Sequence, residues 1–373
     1  MLIGLPRRVL AVAACLVALS ACAAPSSFRT ADRPAPVLGF GGAAPYVSLT
    51  PPSPVGTPPA SLDLLSPAVR RVPPRVYVTA AHAVHVIDPR TYRVVGRVRV
   101  GRRPRFVIPS WDLKTLWVTT GGGLVPIDPR TGRRGRAIPV PATDLLFTPN
   151  GRYALVMAGR PPRIDVREPH TMRLRRSIPI PCHLTGADFA ADGASLVAAC
   201  AASGHVIRVD LRRAKVTQIR LLSPGARPRD VKLSPDGALF YVSDPARGGV
   251  WTIDAQHFLA TAFIPTGAGA HGLIPSPDGT VLYVTNRAEG TISLIGLTAR
   301  RVIRRWRLPG DSSPGLGSVS AGVLWLSDRR HNVVYAVSTA TGRLITTIGV
   351  GRGPHGVCVF PQPGRHSLGH TYR

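Results

Sequence analysis

Residues 276–286 read Ser276-Pro277-Asp278-Gly279-Thr280-Val281-Leu282-Tyr283-Val284-Thr285-Asn286. Proline presets φ at the second position of a type I turn, and glycine relieves strain at the fourth. The β-branched and aromatic run that follows suits a short strand. Working outward, Gly272 to Pro275 reads as a strand before the turn, and Leu282 to Thr285 as the strand after it. Thr291 to Ile295 and Val302 to Leu308 complete a unit of four strands.

The unit repeats. The turn returns as Ser234-Pro235-Asp236-Gly237 and, altered, as Thr148-Pro149-Asn150-Gly151. The central strand returns as Val76-Tyr77-Val78-Thr79, Leu116-Trp117-Val118-Thr119, Ala154-Leu155-Val156-Met157 and Leu196-Val197-Ala198-Ala199. Phe240-Tyr241-Val242-Ser243, Leu282-Tyr283-Val284-Thr285 and Leu324-Trp325-Leu326-Ser327 bring the copies to seven. From Val78 to Leu326 the mean period is about 41 residues, the length of a four-stranded propeller blade. Helical solenoids have similar periods, but alternation within each unit and the scarcity of Glu and Lys exclude them. A second turn, Asp88-Pro89-Arg90-Thr91, recurs as Asp128-Pro129-Arg130-Thr131 between third and outermost strands, which makes these aspartates turn residues, not catalytic acids.

The array opens at Arg75 with a second strand and ends with a first strand, Gly356 to Phe360. The last strand is therefore expected to complete the first blade and close the ring, removing exposed edges. The expected fold is all-β: a seven-bladed β-propeller of four-stranded antiparallel blades over 75–364, with its two terminal strands closing one blade. A core of this size needs no metal or cofactor to fold, and residues 365–373 are expected to be a flexible tail.

The stretch from Ser276 to Asn286 resembles the repeat of the YVTN family of β-propellers, and the resemblance covers 75–364. It is strong in the units ending near Gly237, Gly279 and Gly364, and weak around Ala187 and Leu316. The family implies an extracytoplasmic seven-bladed ring. It does not imply one function, since similar propellers occur in surface-layer proteins, dehydrogenase subunits, lactonases and binding proteins.

The first 22 residues read as an export signal: Arg7 and Arg8, an apolar run from Val9 to Leu19, then Leu19-Ser20-Ala21-Cys22, which matches a lipoprotein cleavage box. Cleavage leaves Cys22 to carry the lipid, and the apolar run is short for a membrane span. Residues 23–74, rich in Pro, Ala and Ser, are expected to form a disordered spacer between membrane and ring.

The formal net charge is +28, and only three of the 47 basic residues are lysine (Lys114, Lys215, Lys232). Such charge ordinarily points to nucleic acid. Export directs it elsewhere, to anionic lipid headgroups, anionic wall polymers or another envelope protein, or leaves it as a solvated basic surface.

Propeller ligands meet the ring where loops enter the innermost strands. Aligning the units places Arg105, Thr143, Thr185, Arg229, His271, Pro314 and His355 at that entrance, with Asp144 and Asp230 directly after two of them. The ends of second strands add Asp244, Asn286 and Asp328 on the same face, with His82 and His331 in adjoining loops. Two arginines and two histidines at a channel mouth suit carboxylate or phosphate. The alternatives are that these side chains fill the channel or pair with Asp144 and Asp230, or that His82, His271, His331 and His355 converge on a metal. A hydrolase or lyase would use His271 and His355 as acid and base. Pro354-His355-Gly356 is similar to the inner strand of streptogramin-lyase propellers, which keep acidic residues at their site; here glutamate is almost absent. No catalytic motif such as Gly-x-Ser-x-Gly, His-Glu-x-x-His or Cys-x-x-Cys is present. Of the five cysteines, Cys15 leaves with the signal and Cys358 falls in an innermost strand. Cys182 and Cys200 flank the hairpin turning at Asp192-Gly193 and are either a disulfide, permitted by export, or two buried thiols.

Overall fold

The computed structural model describes Val69, residues 72–221 and residues 223–361, and among them there are strands but no helices. The export signal, Cys22 and the tail after 361 lie outside the described residues. Seven antiparallel sheets follow one another as blades.

Blade 1 combines Arg75–Ala80, Ala83–Asp88 and Arg93–Arg99 with the last strand, Val357–Phe360. Tyr77 pairs with Cys358 and Val76 with Val359, so the two ends of the array close the ring. Blade 3 runs from Asp144–Phe147 to Leu174–Pro179, blade 4 from Ala187–Phe189 to Lys215–Arg220, and blade 5 from Val231–Leu233 to Ala260–Pro265. Blade 6 runs from Ala270–Pro275 to Arg301–Arg307, and blade 7 from Gly317–Ser320 to Leu344–Gly349.

Blade 2 departs from the plan, with a sheet of three strands, Val107–Pro109, Leu116–Thr120 and Gly123–Ile127. Its outer edge holds two isolated bridges, Leu124 to Ile138 and Ile127 to Arg134. Pro126 sits inside the third strand and has no N–H to donate, so the ladder to a fourth strand is interrupted there. Pro126 still accepts from Gly135 N–H at 2.8 Å.

The turn that organises the sequence behaves as its residues require. Gly279 N–H donates to Ser276 O at 3.0 Å, and Gly279 holds φ at +67°, a region that favours glycine. Gly237 to Ser234, Gly193 to Ala190 and Gly151 to Thr148 repeat the bond at 2.8–2.9 Å. In blade 2 Leu113 occupies the glycine position, bonding to Ser110 O at 2.9 Å with φ of +61°.

The core is a set of seven apolar interfaces, one between each pair of adjacent blades. Each second strand is buried on both faces because it is covered by a blade on either side, which is why these strands read as continuous apolar runs. The interface between blades 1 and 2 also takes in Val69 and Val72, both buried. Both valines fall in the stretch expected to be spacer, most of which lies outside the described residues. The two valines are joined by a 2.9 Å bond from Val72 N–H to Val69 O and bury apolar surface that a solvated linker would leave wet.

Polar bonds tie the same interfaces near the axis. Thr285 Oγ1 accepts from Gly272 N–H in its own blade at 2.9 Å and donates to Gly315 O in blade 7 at 2.9 Å. Ser243 accepts from Asp230 N–H at 3.0 Å and donates to His271 O at 2.6 Å. Thr79 accepts from Gly356 N–H at 3.0 Å and donates to Arg105 O at 2.7 Å. The hydroxyl ending the central strand is therefore an interblade link, buried in each case.

Candidate functional site

The residues entering the innermost strands gather at one end of the channel. Arg229 on blade 5 and His271 on blade 6 touch directly: Arg229 Nε–H donates to His271 Nε2 at 3.2 Å. An arginine only donates, so Nε2 presents its lone pair and the neutral ring carries its proton on Nδ1. That Nδ1 is buried and has no hydrogen-bond partner. Burial, then the charges of Arg229 and Arg287, hold the imidazole well below its ordinary pKa of 6.5.

His355 on blade 1 is in the same condition. Burial, then Arg105, Arg329 and Arg229, push its pKa down to about 3, and its buried Nδ1 also has no partner. Its ring stands edge-on to Phe106 at 5.0 Å, and the Arg105 guanidinium lies 5.8 Å from the Phe106 ring centre. Gly356 N–H donates to Arg105 O at 2.9 Å, which fixes blades 1 and 2 side by side at the mouth.

Two further arginines belong to this cluster and were not among the sequence candidates. Arg287 follows Asn286, and Arg329 follows Asp328; each is the residue after a second strand. Extending the repeat alignment by one position would have found both. The Arg229 guanidinium is depressed in pKa by burial, then by Arg105 and Arg287, and Arg287 by burial, then by Arg329. Mutual repulsion of this kind marks a place where positive charge is concentrated, offset in part by Asp230 beside Arg229 and Asp328 beside Arg287.

Arg229, His271, Arg287 and Arg330 line a cleft of ≈ 560 Å³ together with Glu289 and Asp311. These acids are already engaged: Glu289 with Arg305 at 3.3 Å, Asp311 with Arg330 and His331 at 3.0 Å each.

The acids expected at the mouth are built into the ring. Asp230 Oδ1 accepts from Val231 N–H at 2.9 Å and faces buried Lys232 Nζ at 3.4 Å, while Oδ2 accepts Leu273 N–H of blade 6 at 3.0 Å. Asp188 does the same from blade 4 to Leu233 at 2.8 Å. Asp144 accepts from Leu145 N–H at 2.8 Å. Asp244, Asn286 and Asp328 are fully buried, so the structure sets them beneath the mouth and not on it. Asp244 accepts from Arg227 N–H at 3.0 Å and from the Trp251 indole at 3.0 Å. Asn286 bonds Thr266, Thr291 and Ser293. Asp328 accepts from Ser313 N–H at 2.7 Å, His331 Nδ1 at 2.8 Å and Tyr335 Oη at 2.8 Å. Second-strand ends must satisfy the turn that follows, and a short carboxylate or amide does so.

Thr143 and Thr185 turn their hydroxyls to backbone carbonyls. His331 is raised in pKa by Asp328 and held between two aspartates, and His82 is exposed on its own loop. Among the described residues no three His, Cys, Asp or Glu converge as a metal cage. Cys182 and Cys200 are joined as a disulfide with Cα atoms 5.7 Å apart, tying the loop before blade 4 to the end of its second strand. Cys358 is buried in the innermost strand of blade 1.

No curated protein sequence matches this chain. Its fold is similar to a protein of unknown function from Desulfotomaculum acetoxidans DSM 771, with TM-score 0.67 and 14% identity over 76% of this chain and 98% of that one. It is also similar to the dihydro-heme d1 dehydrogenase NirN in complex with DHE, with TM-score 0.60 and 12% identity over 76% and 74%. Apo AztD from Citrobacter koseri gives TM-score 0.53 and 12% identity over 79% and 99%. At such identities the likeness is one of fold alone. The sequence match is to a family: a model of YNCE-like β-propellers spans residues 55–365, and with the seven blades in place the chain belongs to the YNCE-like β-propeller family.

Proposed function

We propose that this protein is an exported binding module that captures an anionic ligand at the arginine-lined mouth of its channel. The observation that carries this reading is the cleft in which Arg229 and Arg287 flank His271, whose buried Nδ1–H has no partner. A buried donor left unpaired is costly, and an oxyanion would satisfy it while neutralising the guanidinium groups beside it. Export and a lipid on Cys22 would place the ring at the membrane surface, where a small anionic ligand, the end of an anionic wall polymer or an acidic envelope protein could reach the mouth.

A hydrolase or lyase using His271 as general base has less support. The Nε2 lone pair that would take a proton already accepts from Arg229, and neighbouring positive charge opposes protonation of both rings. NirN is described as a dehydrogenase in complex with DHE; nothing in the residues above transfers that chemistry to this chain.

A thermal-shift screen with small carboxylates, phosphates and anionic glycans tests the binding reading, since a ligand that binds only the folded state raises Tm. The expected result is a shift with at least one anion that disappears in Arg229→Ala and in Arg287→Ala. An unchanged Tm with every anion would overturn it.

A further inference from the structure

Each blade is an antiparallel meander, so its connections leave from two faces of the ring. The crossing to the next blade and the turn from second to third strand leave from the mouth face, and the other two turns from the opposite, turn face. The acids of the repeat collect on the turn face because the turns need them. Asp192, Asp236 and Asp278 each accept a backbone N–H two residues on at 2.9–3.1 Å. Asp88, Asp128 and Asp254 do the same in the turn to the outermost strand at 2.8–3.0 Å. Arginines of that face are paired with such acids, as Arg213 with Asp210 at 3.0 Å and Arg75 with Asp88 at 3.3 Å.

The mouth face is left with arginine. Arg102, Arg103, Arg160, Arg227, Arg329 and Arg352 are exposed in its connections, and none forms an ion pair with a described residue. They come from the crossing between blades 1 and 2, from blade 3, from the crossing between blades 4 and 5, from blade 7 and from the crossing back to blade 1. The acids at this end do not offset them. Asp144, Asp230, Asp244 and Asp328 are buried, and Glu289 and Asp311 are held by Arg305 and Arg330 at 3.3 and 3.0 Å. Among the described residues, the large apolar side chains that are exposed lie elsewhere. They sit on outermost strands, as Val95 and Ile303 do, or in turn-face loops, as Tyr153 and Leu259 do.

We propose that the mouth face is a docking surface for a bilayer carrying anionic headgroups. Its arginines are spread around the ring on one face, which suits a flat surface more than a linear polymer crossing it. A specific protein partner would be met by an apolar centre, which this face lacks. With no large apolar side chain to insert, the contact rests on charge at the level of the headgroups and is screened by salt. The inference goes beyond the anion site at the mouth, since Arg102, Arg160, Arg227 and Arg352 do not line that cleft. Docking this way turns the mouth towards the headgroups without requiring it to be filled.

The test is vesicle co-sedimentation at neutral pH with the purified full chain carrying Cys22→Ser, so that no lipid anchor contributes. Vesicles of phosphatidylcholine alone fix the baseline for any apolar binding by the export signal, and the others carry about 30 mol % phosphatidylglycerol. Binding above baseline is expected with the anionic vesicles only, and should fall at least about tenfold between about 50 and about 500 mM salt. Arg102→Gln, Arg160→Gln, Arg227→Gln and Arg352→Gln together should weaken it about 30-fold or more. Four substitutions of equal charge on the turn face, Arg90→Gln, Arg130→Gln, Arg152→Gln and Arg212→Gln, should weaken it less than about threefold. Each variant is checked for an unchanged melting temperature. Equal losses in the two variants would show that net charge and not this face controls binding, and would overturn the inference. So would binding that resists salt, or no binding to anionic vesicles; capture of soluble polyglutamate in that last case would assign the face to a linear polymer. Arg229→Ala separates the two sites: it should abolish the anion-induced rise in Tm and leave vesicle binding within about twofold. Loss of both together would place membrane binding in the mouth and overturn a separate docking face.

Discussion

His271 and His355 are neutral because the cost of charging them falls on the ring. Each is buried among arginines, and burial is the largest cause of depression in both. An unfolded chain protonates its histidines near 6.5, whereas the folded protein resists. The unfolded state therefore binds more protons below 6.5, and stability falls as pH falls. The contribution of these two groups is complete above about 6.5 and is lost progressively towards about 3, the value reached by His355. Urea midpoints measured from pH 8 to pH 4 should decline, and the decline should be shallower in His271→Gln with His355→Gln. Equal slopes in both proteins would show that other groups control the acid limb. At this scale the sequence named positions better than roles. By type and place, Asp230, Asp244, Asn286 and Asp328 sit at the right end of their strands to face a ligand. Residue type alone does not show that Leu273 N–H, the Trp251 indole, Thr266 and Tyr335 would claim their polar atoms.

At the scale of the strand, the repeat's most regular polar atom is the hydroxyl of Thr79, Ser243 or Thr285, one residue before the strand ends. It joins a donor in its own blade to a carbonyl in the next, so a single side chain couples pairing within a sheet to packing between sheets. Thr285→Val keeps the shape and removes both bonds. Gly272 N–H then loses the one acceptor within its reach, and a buried unsatisfied donor costs ~1–3 kcal/mol. Equilibrium unfolding in urea should show a loss of that size, with anion binding retained if the link is purely structural. A neutral substitution would mean that the hydroxyl is dispensable to the ring. The third strand of blade 2 is the converse case: Pro126 withholds a donor, and the outer strand shrinks to two bridges. Both effects trace to one atom in one strand. The threonine was readable as part of a repeated motif, but its partner across the interface was not.

The whole molecule depends on closure. Blade 1 is built from both ends of the array, with Val357–Phe360 paired to Arg75–Ala80, and Phe360 and Cys358 buried in the interface with blade 2. Removing residues 356–373 would leave an open edge and two unsealed interfaces, which invites pairing with other chains. The shortened protein is expected to be insoluble or to melt more than about 10 °C lower. A soluble, cooperatively folded product of the longer deletion would show that closure is not required. Only the closed ring brings blades 5, 6, 7, 1 and 2 to a common mouth, so the same deletion should abolish anion binding.

Sequence by itself determined the repeat, the turn chemistry, the number of blades and the order in which the terminal strands meet. These follow from local physics: a proline before an aspartate and a glycine makes a turn wherever it occurs, and a period of about 41 residues allows few architectures. Tertiary structure alone decided which polar groups at the mouth are spent and which are left over. Arg105 and His355 are 250 positions apart in sequence and neighbours in the ring, where the Gly356 N–H bonds to Arg105 O. Hydrogen-bond satisfaction is a property of neighbours in space, and in a closed ring those neighbours come from the most distant parts of the chain.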